Sequence, residues 1–150
     1  GKVTVELPYA PVDTLIREAD SEMRVSSGAT EELAARIQEK GAALAVDAAE
    51  KAEQDGRKTI RAEDFGFVSE KEVRDLSKDC LILPVAPVDR IARLRLEDYR
   101  VRKEARLALA DYLEDWATEV AGSSARLAEH AGRRTVQRED IEAYFDICGD

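Results

Sequence analysis

Gly56-Arg57-Lys58-Thr59-Ile60-Arg61-Ala62-Glu63-Asp64 and Gly132-Arg133-Arg134-Thr135-Val136-Gln137-Arg138-Glu139-Asp140 are one pattern written twice, 76 residues apart. In each, a glycine precedes a basic pair, a threonine and a β-branched residue, and an acidic pair closes the stretch. The glycine suits the left-handed position just past a helix C-terminus. The acidic pair suits the first turn of the next helix, where the helix dipole favours negative charge. The stretch therefore reads as helix end, extended loop, helix start.

The same offset holds outside these loops. Leu7-Pro8-Tyr9-Ala10-Pro11-Val12-Asp13 recurs as Leu83-Pro84-Val85-Ala86-Pro87-Val88-Asp89. Arg24-Val25 meets Arg100-Val101, and Leu33-Ala34 meets Leu109-Ala110. Without a gap, 21 of the 59 positions from 7 to 65 are identical to their counterparts. A match of that length means two copies of one unit. Two copies are too few for a solenoid and suit a pseudosymmetric pair.

Each copy reads as a short, a long and a short helix, so the fold class is all-α. The first helix starts near Pro8 to Pro11, where proline is tolerated in a first turn. Val12, Leu15, Ile16 and Ala19 follow helical spacing. Ser26 or Ser27 is the N-cap of a long helix over about 26–55. Ala29, Leu33, Ile37, Leu44, Ala48 and Ala52 form its apolar stripe. At about 1.5 Å per residue such a helix has no equal partner in its own copy. The second copy supplies one over about 102–131, with Ala105, Leu109, Leu113, Trp116, Val120 and Leu127 on its stripe. The third helices start near Ala62 and Arg138, and the first of them is expected to run to about Leu76. The expected units are residues 1–76 and 83–150, joined by a short connector over 77–82.

The net charge is −9, and both halves of the chain are acidic. Taken alone, this argues against nucleic-acid binding, which normally needs a basic footprint. An acidic, Lys-poor composition also looks like that of proteins from salt-loving cells. Cys80 and Cys148 lack metal-ligand spacing and read as free thiols in a reducing compartment, in the role of small buried apolar residues. No stretch approaches the length of an apolar membrane span, and none reads as a signal peptide. Glu31-Glu32 and Glu139-Asp140 lack converging His or Cys, so helical faces explain them better than metal binding or acid–base chemistry. No enzyme motif, cofactor site or small-molecule site is expected.

The short–long–short pattern, the Leu-Pro-x-Ala-Pro openings, the Arg-Val-Ser loop and the Gly-Arg-Lys-Thr-Ile-x-x-Glu-Asp segment together resemble archaeal histones. The duplication resembles the fused histone doublet of haloarchaea. The resemblance implies two tandem histone folds in an intramolecular head-to-tail handshake. It also implies a cytoplasmic, chromosome-associated protein that binds and bends double-stranded DNA without reading sequence and modulates transcription globally. On that resemblance the first loop of each copy lies beside the second loop of the other. Arg24 and Arg100 would enter the minor groove, while Lys58, Thr59, Arg134 and Thr135 would hold phosphates. Arg57–Asp64 and Arg133–Asp140 would be structural pairs beside those contacts. On the first helices Arg90, then Arg17 and Arg93, would add a central contact. His130, with Leu127 and Asp140, maps to the family's interface between neighbouring pairs, so further copies would join through the second-copy end.

Several positions depart from the family or from the repeat. Thr14 replaces a basic residue of the family, Arg102 stands where Ser26 stands, Arg61 is matched by Gln137, and the loop from Pro11 to Val25 is one residue longer. The alternative reading is an acidic histone-fold module for protein interaction or transcription regulation, with little DNA wrapping.

Overall fold

The computed structural model describes residues 4–67 and 77–149. In chain order its elements are α1 (Tyr9–Ala19), β1 (Arg24–Val25), α2 (Ser27–Gln54) and β2 (Thr59–Ile60). A 3-10 turn at Ala62–Asp64 and another at Lys78–Cys80 follow. The second copy contributes α3 (Val85–Arg93), β3 (Arg100–Val101), α4 (Lys103–His130), β4 (Thr135–Val136) and α5 (Arg138–Cys148).

The two long helices have 28 residues each, about 42 Å at the usual rise. Their starts differ as the sequence predicts. The Ser26 hydroxyl accepts from the Ala29 amide, whereas Arg102 makes no side-chain cap. Both end in a glycine with positive φ, Gly56 at 72° and Gly132 at 76°, which a Cβ would disfavour. Leu33, Ile37, Leu109 and Leu113 are fully buried, and each such side chain contributes roughly 1.5–3 kcal/mol through removal from water. The small residues between them let the helices close in. A Cβ on Gly41 would meet Ile91 Cγ2 at 2.9 Å and Leu113 Cδ1 at 3.0 Å.

The copies exchange contacts throughout. α1 packs on α4 as well as α2, α3 packs on both α2 and α4, and α5 packs on both long helices. One pair of polar side chains, 76 residues apart, also anchors the chain entering each first helix. Gln38 accepts from the Glu6 amide at 2.7 Å and donates to the Thr4 carbonyl at 2.8 Å. Glu114 accepts from the Ile82 and Leu83 amides at 2.6 and 2.9 Å. This is the intramolecular handshake of two like units that the resemblance implies, all-α apart from two short parallel bridges.

Two expectations need correction. The third helix of the first copy does not continue through residues 65–67. After the 3-10 turn, Phe65 is extended and Gly66-Phe67 turn. Phe65 stacks on Phe67, with ring centroids 5.2 Å apart, and Phe67 stacks on Tyr112 at 4.1 Å. Two aromatics at i,i+2 with glycine between them do not share one helix face. In the second copy Ile141 and Phe145, at i,i+4, are both buried along one face of α5. The rest of the expected helix, 68–76, lies outside the described residues. The cysteines are free, as expected, but exposed instead of buried. Cys80 lies in the connector turn and Cys148 in the last turn of α5, so neither reaches the core. Among the described residues no helix is long and apolar enough to cross a membrane.

Candidate nucleic-acid interface

Each end of the molecule is made by a two-residue parallel bridge between copies. At one end Arg24 pairs with Thr135 and Val25 with Val136. At the other, Thr59 pairs with Arg100 and Ile60 with Val101. The supporting bonds are equivalent: Arg24 N donates to Arg134 O at 2.8 Å, and Arg100 N donates to Lys58 O at 2.9 Å. Backbone pairing thus sets each loop arginine beside the basic pair and threonine of the other copy. The apolar member of each bridge, Ile60, Val101 or Val136, is buried or, for Val25, half-buried. Alternation along the strand then turns Arg24 and Arg100 outward, and both are exposed.

The residues behind the bridges are held by ion pairs. Arg57 donates to Asp64 through two nitrogens at 2.9 and 3.0 Å and to the Thr59 carbonyl at 2.8 Å. Arg133 does the same with Asp140, at 2.6 Å for both, and with the Thr135 carbonyl at 3.2 Å. Each Asp also accepts a backbone amide, from Arg61 or Gln137. These arginines bond both to the Asp and to the threonine carbonyl of the bridge, so their forks are occupied. Lys58 and Arg134 are exposed, and Lys58 Nζ sits 4.6 Å from the Tyr99 ring centroid.

The helix arginines are placed less uniformly. Arg17 and Arg93 pair with the aspartates four residues before them, Asp13 at 2.6 Å and Asp89 at 2.7 Å. Arg90 lies 3.9 Å from Glu6. Arg93 shares a cleft with Arg57, Lys58, Thr59 and Arg100, whereas Arg90 does not line it. Thr14 turns its hydroxyl back to the Ala10 carbonyl. Of the three residues expected at an assembly surface, His130 is exposed and Leu127 half-buried, while Asp140 is buried with both oxygens bonded. Glu31 and Glu32 clamp Arg138 of the other copy at 2.7 and 3.0 Å.

The cleft also contains four cations that were not picked out as contacts from the sequence: Arg61, Arg102, Lys103 and Arg106. The available signal was the offset of 76, at which they face Gln137, Ser26, Ser27 and Thr30.

Burial pushes the Asp64 carboxyl up, but the Arg57 hydrogen bond, the Arg61 amide and the attraction of both arginines outweigh it. The net result is a carboxyl held below its ordinary value. A group with a depressed folded pKa contributes stability that is complete above its unfolded value, about 3.9, and is lost as pH falls through the folded one. Between pH 5 and 2, the melting temperature of Asp64→Asn should therefore fall less steeply than that of the wild type. Parallel pH profiles would refute this coupling.

Two segments of the chain, residues 5–67 and 81–143, each match the family model described as "Histone-like transcription factor (CBF/NF-Y) and archaeal histone". The chain belongs to this histone-fold family. One of the subunits of archaeal histone HAN1 from Thermococcus zilligii is 48% identical over 59 residues, 39% of this chain and 87% of that one. Probable archaeal histone 3 of Methanocaldococcus jannaschii is 44% identical over 61 residues, 41% of this chain and 90% of that one. Relatives nearly covered by under half of the chain suit a doublet of their unit. The crystal structure of the histone from Methanopyrus kandleri superposes with a TM-score of 0.71 at 24% identity, covering 93% of each chain. A crystal structure of a Thermus thermophilus protein gives 0.69 at 19% identity, covering 95% of this chain and 96% of that one. At those identities the two structures establish the doublet fold alone. The family is one of histones and histone-like transcription factors, not of enzymes.

Proposed function

We propose that this histone doublet binds and bends duplex DNA without reading its sequence, organising the chromosome and modulating transcription globally. In this reading residues 1–76 and 83–150 act as the two histone units and 77–82 as their connector. The observation that carries the proposal is the convergence of exposed Arg100 with Lys58 and Thr59 in one cleft, mirrored by Arg24 beside Arg134 and Thr135. An arginine in an inward-facing minor groove responds to groove width and negative potential, not to base identity. Threonine hydroxyls and backbone amides hold phosphates without much net charge. That economy lets a chain of net charge −9 engage a polyanion. His130 and Leu127 would carry contacts to further copies along the DNA.

The net charge and the histone-like transcription factors within the family favour a second reading, an acidic module that recruits proteins instead of DNA. Titration of labelled duplexes of unrelated sequence separates the two. The histone reading expects affinities equal within a few fold across sequences, falling as salt rises, with end-to-end energy transfer reporting a bend. Absence of duplex binding at low salt would leave the protein-recruitment reading.

A further inference from the structure

The two ends of the doublet are alike in backbone and unlike in charge. The cleft at the β2–β3 bridge, about 780 Å³, is lined by the expected contacts and by Arg61, Arg102, Lys103 and Arg106. At the β1–β4 bridge the matching positions hold Gln137, Ser26, Ser27 and Thr30. The groove there, about 360 Å³, is lined by Ser27, Thr30 and Glu31, and by Asp13, whose counterpart Asp89 also lines the larger cleft. A neighbouring cleft puts Asp20, Glu22 and Glu129 around Arg133 and Arg134. The counterpart of Asp20 at the other end is Leu96. Arg138 stands where the first copy has Ala62, but Glu31 and Glu32 already hold it. The extra cations of the β2–β3 end have weaker ties. Arg61 is 3.8 Å from Glu63, Arg102 pairs with Glu104 at 2.9 Å, and Arg106 is 3.5 Å from Asp89. The Arg61 and Arg102 pairs are solvent-open, and such pairs are worth little and yield readily to a phosphate.

We infer that the two ends are unequal grips on DNA: the β2–β3 end is the primary anchor, through Arg61, Arg102, Lys103 and Arg106 as well as Arg100. This rests on the proposed DNA binding. The β1–β4 end closes on the duplex second, and only at low salt. Each phosphate neutralised adds about 0.9 to the slope of log affinity against log salt, so four more cations at one end make that end persist as salt rises. The chain's net acidity then does not oppose binding uniformly, because four additional cations are gathered at the anchor. The departures from the repeat at Arg61 and Arg102 become additions to a binding surface.

The test is a salt titration of a labelled 30-bp duplex (long enough to span both ends) against wild type and R61Q/R102S/K103S/R106T. Each substitution installs the residue that the other end carries, and Ser at 102 also offers a helix cap like that of Ser26. The expected result is a slope smaller by about 3.6 and an affinity at 0.2 M salt more than a hundredfold lower. Arg100→Ala should cost at least fivefold more than Arg24→Ala. The milder R61Q/K103S keeps the Arg106 bond to the Val101 carbonyl, guards against misfolding, and should lower the slope by about two. An unchanged slope in both variants, with equal costs for Arg24→Ala and Arg100→Ala, would overturn the asymmetry while leaving DNA binding intact. No binding by the wild type would remove the DNA reading itself, and the asymmetry with it.

Discussion

Arg24→Ala/Arg100→Ala should lose about a hundredfold in affinity for duplex DNA at moderate salt, with an unchanged melting temperature. Both side chains are exposed, and among the described residues neither forms a salt bridge or side-chain hydrogen bond. The bridges that position them are made by backbone groups, so truncation leaves the loops in place. The loss follows from removing two charge-assisted contacts, together worth roughly a factor of a hundred, with the larger share at Arg100. The slope of log affinity against log salt should fall by about two, since two cations are removed. A filter-binding or anisotropy titration at several salt concentrations gives both numbers. Equal affinity of mutant and wild type at every salt concentration would sink the placement of the loop arginines on DNA. A large fall in melting temperature would instead mean that these side chains support the fold.

The second large effect concerns the groups behind the loops. Asp64→Ala and Asp140→Ala should each lower the melting temperature by roughly 10 °C at neutral pH. Each carboxylate accepts two guanidinium bonds and one amide bond while being only 4% exposed. Its removal strands the arginine that also donates to the threonine carbonyl of the bridge. The loop would lose its tie to the following turn or helix, and the loop arginine of the other copy would lose its platform. DNA affinity should therefore fall as well, although neither Asp is assigned a DNA contact. Calorimetry of both variants checks the prediction; a loss below 2 °C would show that bridge and packing hold the loops without the ion pair.

Much of this was legible because the signals are local. Proline before α1 and α3, serine before α2 and glycine after both long helices act within a few residues of themselves. The spacing of Leu33 and Ile37, or of Leu109 and Leu113, marks a buried stripe whatever it packs against. The 76-residue offset added the strongest inference, that one chain supplies both halves of the pair. The third helix of the first copy failed because Phe65 and Phe67 answer to Tyr112, some 45 residues away in sequence. Cys80 and Cys148 failed because apolar residue type does not say whether a chain end or a connector reaches the core.

The sequence by itself determined the helices, their ends, the duplication and the residue types available at each loop. Only the tertiary structure decided which groups meet. The exchange of α1 and α3 between long helices sets Arg24 beside Thr135 and Arg100 beside Thr59, contacts more than 40 residues apart in the chain. It also gathers Arg61 with Arg102, Lys103 and Arg106 at a single end. The reason is the range of the forces. Capping and periodicity act along one stretch of backbone, whereas the charge of a cleft is a sum over segments that only the packed core brings together. A chain of net charge −9 can therefore carry a strongly basic end that no local pattern announces.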